Sequence, residues 1–376
     1  MTQDVLLETR GPLGLVTLDR PRALHALTLG MIRTLHPQLE AWAADPAVRA
    51  VAIRATGGRA FCAGGDVRAV HEAVQAGAPE QARAFFREEY RLNHRIHTFP
   101  KPFVALVDGI CMGGGLGLSA HGSHRVVSER LVLAMPETAI GLFPDVGGGW
   151  FLPRMPGECG TYLGLTGARV GAADALLLGY ATHHVPAAGH EALLAALERE
   201  LAHAPAEAPD GAAGGAAGGA VQAHAAVGRV LGAHHVAPGS EAPLAAHREA
   251  VDRCFSGARM EDVLGALARE GTVWAGEVLA TLSRLCPFSL ALTLALLRRG
   301  RALSYPEVVT LEHRLALACV EREDFHQGVR AVLVEKHGKP TWSPASLGGV
   351  SSAEVEAAFA PRAEAQGGEL VVGAAR

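Results

Sequence analysis

Two carboxylates, Glu137 and Asp145, lie eight residues apart in the run Met135-Pro136-Glu137-Thr138-Ala139-Ile140-Gly141-Leu142-Phe143-Pro144-Asp145-Val146-Gly147-Gly148-Gly149, which is otherwise apolar and turn-rich. Burial raises a carboxyl pKa and readies the group for proton transfer, so a pair in unlike environments can divide acid and base roles. The plainer alternatives are a helix cap for Asp145, beside three glycines, and a solvated loop position for Glu137. Two glycine-rich turns add a second chemistry. Ala60-Phe61-Cys62-Ala63-Gly64-Gly65-Asp66 follows an expected strand at 50–54, and Gly109-Ile110-Cys111-Met112-Gly113-Gly114-Gly115 follows one at 103–107. Each opens a helix, where peptide N–H groups lack intrahelical partners and the dipole favours negative charge. Two such groups converging on one oxygen form an oxyanion hole. On the plainer view the glycines serve only tight turns and close packing.

These residues need a frame that alternates strands with helices. Val5–Leu7 and Leu15–Leu18 flank Arg10-Gly11-Pro12-Leu13-Gly14 and predict a hairpin. Thr28 is placed to cap a helix with apolar positions Ile32, Leu35, Leu39 and Trp42, which Pro37 should bend or break. Helices are expected near 67–76 and 80–97, another after the glycine run 113–117, and a strand pair near 125–134. This order implies an α/β fold with parallel crossovers. Residues 205–222, rich in Ala and Gly, predict a flexible linker or insertion. Beyond 240 the pattern is helical. The expected division is a core over 1–200, a linker over 201–240 and a helical region over 241–376.

Composition excludes several classes. Hydrophobic residues make up 49%, enough for a substantial core, and a net charge of −4 without a basic run argues against nucleic acid and acidic membranes. The six cysteines form no CxxC pair, and neither a phosphate loop, HExxH nor GxSxG occurs. Cys62 and Cys111, beside the glycine turns, are expected as small buried hydrophobes. The apolar stretch 103–120 contains Asp108 and five glycines and does not suit a membrane span. The N-terminus lacks the features of a secretory signal, and a cytoplasmic protein is expected.

Taken together, the two glycine turns and the Pro136–Gly149 segment resemble the enoyl-CoA hydratase/isomerase (crotonase) superfamily and, within it, the branch that hydrolyses 3-hydroxyisobutyryl-CoA. Phe86-Arg87-Glu88-Glu89-Tyr90, the run from Asp324 to Lys336 and Trp342-Ser343-Pro344 support the resemblance, which spans about 5–200 and 250–347. It implies a ββα superhelix core with a helical C-terminal region, and an acyl-CoA substrate with no metal or separate cofactor. The oxyanion donors would be the N–H groups of Gly65 and Gly114. Glu137 would be the catalytic carboxylate, as nucleophile or general base, and Asp145 would orient or protonate around the substrate hydroxyl and leaving thiolate. Glu89 would line the pocket, while Ala63 and Arg22-Ala23-Leu24 would wrap coenzyme A. For Glu88 and Glu89 a solvated charged helix face is the plainer alternative. Hydratases of the family carry a glutamate three residues after the second glycine of the oxyanion loop. Counted from Gly114 that position is Gly117, which disfavours hydration. His25, where the family usually has Asn, is expected to perturb its turn. The resulting expectation is a thioesterase of valine breakdown, with an enoyl-CoA hydratase or isomerase and a non-catalytic acyl-CoA binder as alternatives; homo-oligomerisation stays open.

Overall fold

The computed structural model describes residues 4–203, 215–363 and 369–373. The expected hairpin forms: β1 (Val5–Arg10) pairs antiparallel with β2 (Leu13–Leu18) across the Gly11 turn. From β2 onward the sheet is parallel, adding β3 (Ala50–Ala55), β5 (Phe103–Val107), β7 (His124–Val127) and β9 (His183–His184). A second sheet holds β4 (Ala60–Cys62), β6 (Ile110–Met112) and β8 (Val132–Ala134). The strand pair expected near 125–134 is therefore no pair: β7 and β8 belong to different sheets. Local alternation marks a strand but does not choose its neighbour.

Helix α1 (Leu29–Ala44) is capped by Thr28, whose hydroxyl accepts the Met31 N–H at 3.2 Å. It runs unbroken through Pro37, against expectation. Met31, Ile32, Leu35, Leu39 and Trp42 bury one face while Pro37 stands on the exposed side. Helices α2 (Val67–Gln75), α3 (Pro79–His97) and α4 (Gly114–Ser119) follow as expected, α4 starting inside its glycine run.

Compactness divides the chain into two interleaved units, residues 1–64, 92–133 and 170–242 in one, and 65–91, 134–169 and 243–376 in the other. The linear division at 200 and 240 is not observed: long-range strand pairing gathers the first unit and helix packing the second. The first unit's core lies on one face of the six-stranded sheet, where Leu13, Leu15, Ala52, Val104 and Leu106 meet Leu193, Leu197 and Leu201 of the helix His190–His203. A second helix, Gly215–His234, joins them through Ala223, Ala226, Val227, Val230 and Leu231. Much of the expected linker is thus helix. The rest of that expectation, at 204–214, lies outside the described residues. The spacing 223, 226, 227, 230, 231 is a helical stripe, hidden in the sequence by the small size of its members. In the second unit helices dominate, among them Met260–Glu270, Val273–Leu282, Pro287–Gly300 and Tyr305–Val320. Among the described residues no single helix is long and apolar enough to cross a membrane.

Candidate active site

In the second unit, three elements bring carboxyl groups together. Along α3 the residues Ala82, Phe85, Phe86, Glu89 and Tyr90 are buried, a stripe at helical spacing in which Glu89 takes an apolar position. Glu89 is therefore not part of a solvated face. A Cβ built on Gly65 would lie 3.5 Å from Glu89 Oε1 and 2.9 Å from the Phe85 ring, so only glycine brings the backbone this close.

Glu137 opens a 3-10 turn, Glu137–Ile140, closed by Gly141 in the left-handed region. The turn is pinned on several sides. Thr138 Oγ1 donates to the Leu165 carbonyl at 3.1 Å, and the Thr138 carbonyl accepts the Cys286 N–H at 3.0 Å. The helix Glu323–Val329 lies so close that a Cβ on Gly328 would stand 2.5 Å from the Ile140 carbonyl carbon. The run from Asp324 onward is thus the floor beneath Glu137.

Asp145 precedes the short helix α5 (Gly148–Phe151), whose cap residue is Gly147. Asp145 is no helix cap: its Oδ2 accepts the Tyr90 O–H at 2.7 Å. Nor is Glu137 a solvated loop residue, since Glu89, Glu137 and Asp145 expose only 2%, 5% and 5% of their surface. Reasoning from sequence missed Tyr90 and Glu312. Glu312 accepts the Gly147 N–H on Oε2 at 2.6 Å and the Gly149 N–H on Oε1 at 2.8 Å. Its signal was a carboxylate on the buried stripe Tyr305, Val308, Val309, Glu312 and Ala316.

The electrostatics separate these acids. Burial pushes Glu137 well above the carboxylate range, and the Asp145 charge pushes it further. Glu89 is raised for the same reasons, with Asp145 and Glu137 both contributing. Burial raises Asp145 only to about 6, because the Tyr90 hydrogen bond favours its anion. Of the three acids, Asp145 is thus the one whose anion the fold favours through a hydrogen bond, whereas burial and neighbouring charge both push Glu137 and Glu89 upward. Glu89 Oε1 and Glu137 Oε2 are buried without a hydrogen-bond partner among the described residues.

The first unit holds the other expected residues. The Ala63 N–H donates to the Leu24 carbonyl at 3.0 Å, joining the two stretches expected to wrap coenzyme A. His25 secures this turn rather than perturbing it. Leu24 and His25 both adopt left-handed backbone, and the buried His25 ring spans the loop. Its Nδ1 accepts the Arg20 N–H at 3.0 Å, so the proton sits on Nε2, which donates to the Thr56 carbonyl at 3.0 Å. Gly114 occupies the first position of α4, where the helix offers its N–H no acceptor. A Cβ on Gly115 would lie 2.4 Å from the Cys62 carbonyl oxygen, so α4 lies directly against β4. Cys62 and Cys111 are buried free thiols, and burial pushes Cys111 up to about 12, unsuited to nucleophilic attack.

Glycine turns after parallel strands in one unit, and buried acids in a helix-rich other, are features of an α/β enzyme. The profile of the enoyl-CoA hydratase/isomerase family matches residues 13–359, and the chain belongs to that family, the crotonase superfamily. The mitochondrial 3-hydroxyisobutyryl-CoA hydrolase of Gallus gallus is 43% identical over 362 residues, covering 95% of this chain and 89% of the relative. The corresponding Homo sapiens protein is 42% identical over 361 residues, with 95% and 88% covered. Among solved structures, a carnitinyl-CoA dehydratase from Mycobacterium thermoresistibile superimposes with a TM-score of 0.86 at 38% identity, covering 98% of this chain and 99% of its own. An enoyl-CoA hydratase from Rhodobacter sphaeroides gives 0.84 at 38% identity, with 98% and 100% covered. The crotonase fold and helical C-terminal region are thereby shown.

Proposed function

We propose that this protein hydrolyses the thioester of 3-hydroxyisobutyryl-CoA, or of a close short 3-hydroxyacyl-CoA, to the free acid and coenzyme A, as a step of valine breakdown. The observation that carries this reading is the buried group Glu89, Glu137 and Asp145, in which two carboxyl oxygens lack partners while Asp145 is held by Tyr90. The similarity to 3-hydroxyisobutyryl-CoA hydrolases at 42–43% identity supports the substrate, and Gly117 supports hydrolysis over hydration by offering no carboxyl at the family's first glutamate position. The amides of Gly65 and Gly114 serve as oxyanion donors for the carbonyl oxygen as it gains charge. Glu137 either attacks the carbonyl carbon, giving a mixed anhydride that water then opens, or takes a proton from the attacking water. In both routes the C–S bond breaks, one water is consumed and the thiolate leaves as thiol. Asp145 orients the substrate 3-hydroxyl and takes part in the proton traffic around the thiolate, Glu89 lines the acyl pocket, and Ala63 contacts the coenzyme.

The test is free-thiol release across 3-hydroxy and unsubstituted acyl-CoAs, with crotonyl-CoA followed by loss of enoyl absorbance. Glu137→Gln should abolish thiol release, a loss of at least about 1,000-fold, while thermal unfolding stays cooperative. Enoyl loss from crotonyl-CoA without thiol release, or a Glu137→Gln variant retaining most activity, would reject the reading.

A further inference from the structure

Glu312 lies more than 160 residues from Asp145 in sequence, yet both of its oxygens are spent on the loop that Asp145 begins. It is fully buried, and its two acceptors take the N–H groups of Gly147 and Gly149. The backbone between Asp145 and these amides is unusual. Val146 has φ of 51° and Gly147 has φ of 87°. A β-branched residue avoids the left-handed region, so the surroundings must impose it at Val146. The Gly147 and Gly149 N–H groups both point at the Glu312 carboxyl group, while the Gly148 N–H between them donates to the Asp145 carbonyl at 2.7 Å. The loop is gripped from two directions: Glu312 holds the amides after Asp145, and Tyr90 holds the Asp145 carboxylate.

We infer that Glu312 is a positioning residue for Asp145, its carboxylate seating the strained 146–149 backbone and so fixing where Asp145 points. The kinetic part of this inference rests on the proposed hydrolase reading; the backbone part does not. Charged or titratable groups facing the two acids are Tyr90 and Glu89 of α3, Glu137 of the 3-10 turn, and Tyr305 and Cys319 of Glu312's own helix. Burial pushes Glu312 well above the carboxylate range and the Asp145 charge pushes it further, while the Gly147 and Gly149 N–H groups favour its anion.

Glu312→Gln keeps the size but turns an NH2 toward one of the two amides. Two changes are expected in the full-length protein. Hydrogen exchange of a peptide covering 144–151 should quicken tenfold or more, measured without substrate. The kcat per folded enzyme should fall tenfold or more with KM within threefold, while thermal unfolding stays cooperative. If Glu312→Gln does not fold, Glu312→Asp, which withdraws the carboxyl group by one methylene, should quicken exchange and lower kcat in the same way. A folded Glu312→Gln or Glu312→Asp with exchange and kcat within twofold of wild type overturns the inference, as does faster exchange with unchanged kcat. If the wild type releases no thiol from any acyl-CoA, the hydrolase reading fails, and the exchange comparison alone then decides whether Glu312 seats the loop.

Discussion

Replacing Tyr90 with Phe removes one hydroxyl from a buried site and leaves the ring in place. That hydroxyl donates to Asp145 Oδ2 at 2.7 Å and favours the aspartate anion. A hydrogen bond to a charged group contributes roughly 1.5–3 kcal/mol. A bond to the neutral acid contributes about 1 kcal/mol, so at about 1.4 kcal/mol per pH unit the difference raises Asp145 from about 6 to roughly 6.5–7.5 when the hydroxyl is lost. The sign of the stability effect follows from that direction. The folded value lies above the ordinary 3.8, so the fold favours the protonated acid. The contribution is complete below about pH 4 and is lost as pH rises through the folded value. Above it, ionised Asp145 already costs the wild type about 3 kcal/mol. At pH 5 the acid is largely protonated in both proteins, and Tyr90→Phe loses only a neutral hydrogen bond of about 1 kcal/mol. At pH 8.5 it loses a charged one. Urea unfolding at the two pH values should therefore show the variant's deficit growing by about 0.5–2 kcal/mol from pH 5 to pH 8.5. An equal deficit at both would show that the hydroxyl does not govern the ionisation of Asp145.

Asp145→Asn removes the charge that, after burial, does most to hold Glu137 above its ordinary value. The rising limb of thiol release should shift to lower pH even as kcat falls; a stationary or upward-moving limb contradicts the coupling. Gly328→Ala places a methyl 2.5 Å from the Ile140 carbonyl carbon and pushes the helix Glu323–Val329 off the turn that starts at Glu137. It should destabilise by about 1–3 kcal/mol and lower thiol release, with urea unfolding and kcat as readouts. A change below about 0.5 kcal/mol would mean that this packing is looser than the geometry shows.

Local signals carried far in this chain. The Gly11-Pro12 turn placed the hairpin, Thr28 placed the start of α1, and the glycine runs placed the strand-to-helix turns at Gly65 and Gly114. What failed was non-local. Nothing in residues 124–134 reveals that β7 and β8 join different sheets. Nothing beside Pro37 says that it stands on the exposed side of an unbroken helix. At 215–234 a composition of Ala and Gly concealed a buried stripe, since small residues pack well but register weakly as apolar. The site divides in the same way. Glu137 and Asp145 stood out in an apolar segment, whereas Tyr90 and Glu312 act through partners 55 and 165 residues distant. Even so, Glu89 and Glu312 each occupy a helical position whose neighbours at three and four residues are apolar. A carboxylate on such a stripe is the one local sign of a buried acid.

The partners of the buried acids separate those that hold the site from those that meet a ligand. Glu312 has both oxygens satisfied by peptide N–H groups, and Asp145 has a tyrosine hydroxyl; each is fixed by the fold itself. Glu89 Oε1 and Glu137 Oε2 are as deeply buried, but the described residues offer them no partner. An unsatisfied buried polar atom costs about 1–3 kcal/mol, a large fraction of the stability of any domain. Protonation lessens that cost, because a neutral carboxyl loses less on burial than an anion, and both groups are pushed toward the protonated form. A protonated carboxyl is also a donor, so each can give a hydrogen bond to an incoming oxygen as well as accept one. Buried carboxyl groups that lack partners among the described residues, beside one that is paired, suit a ligand that brings its own hydroxyl and carbonyl, as the proposed 3-hydroxyacyl thioester does.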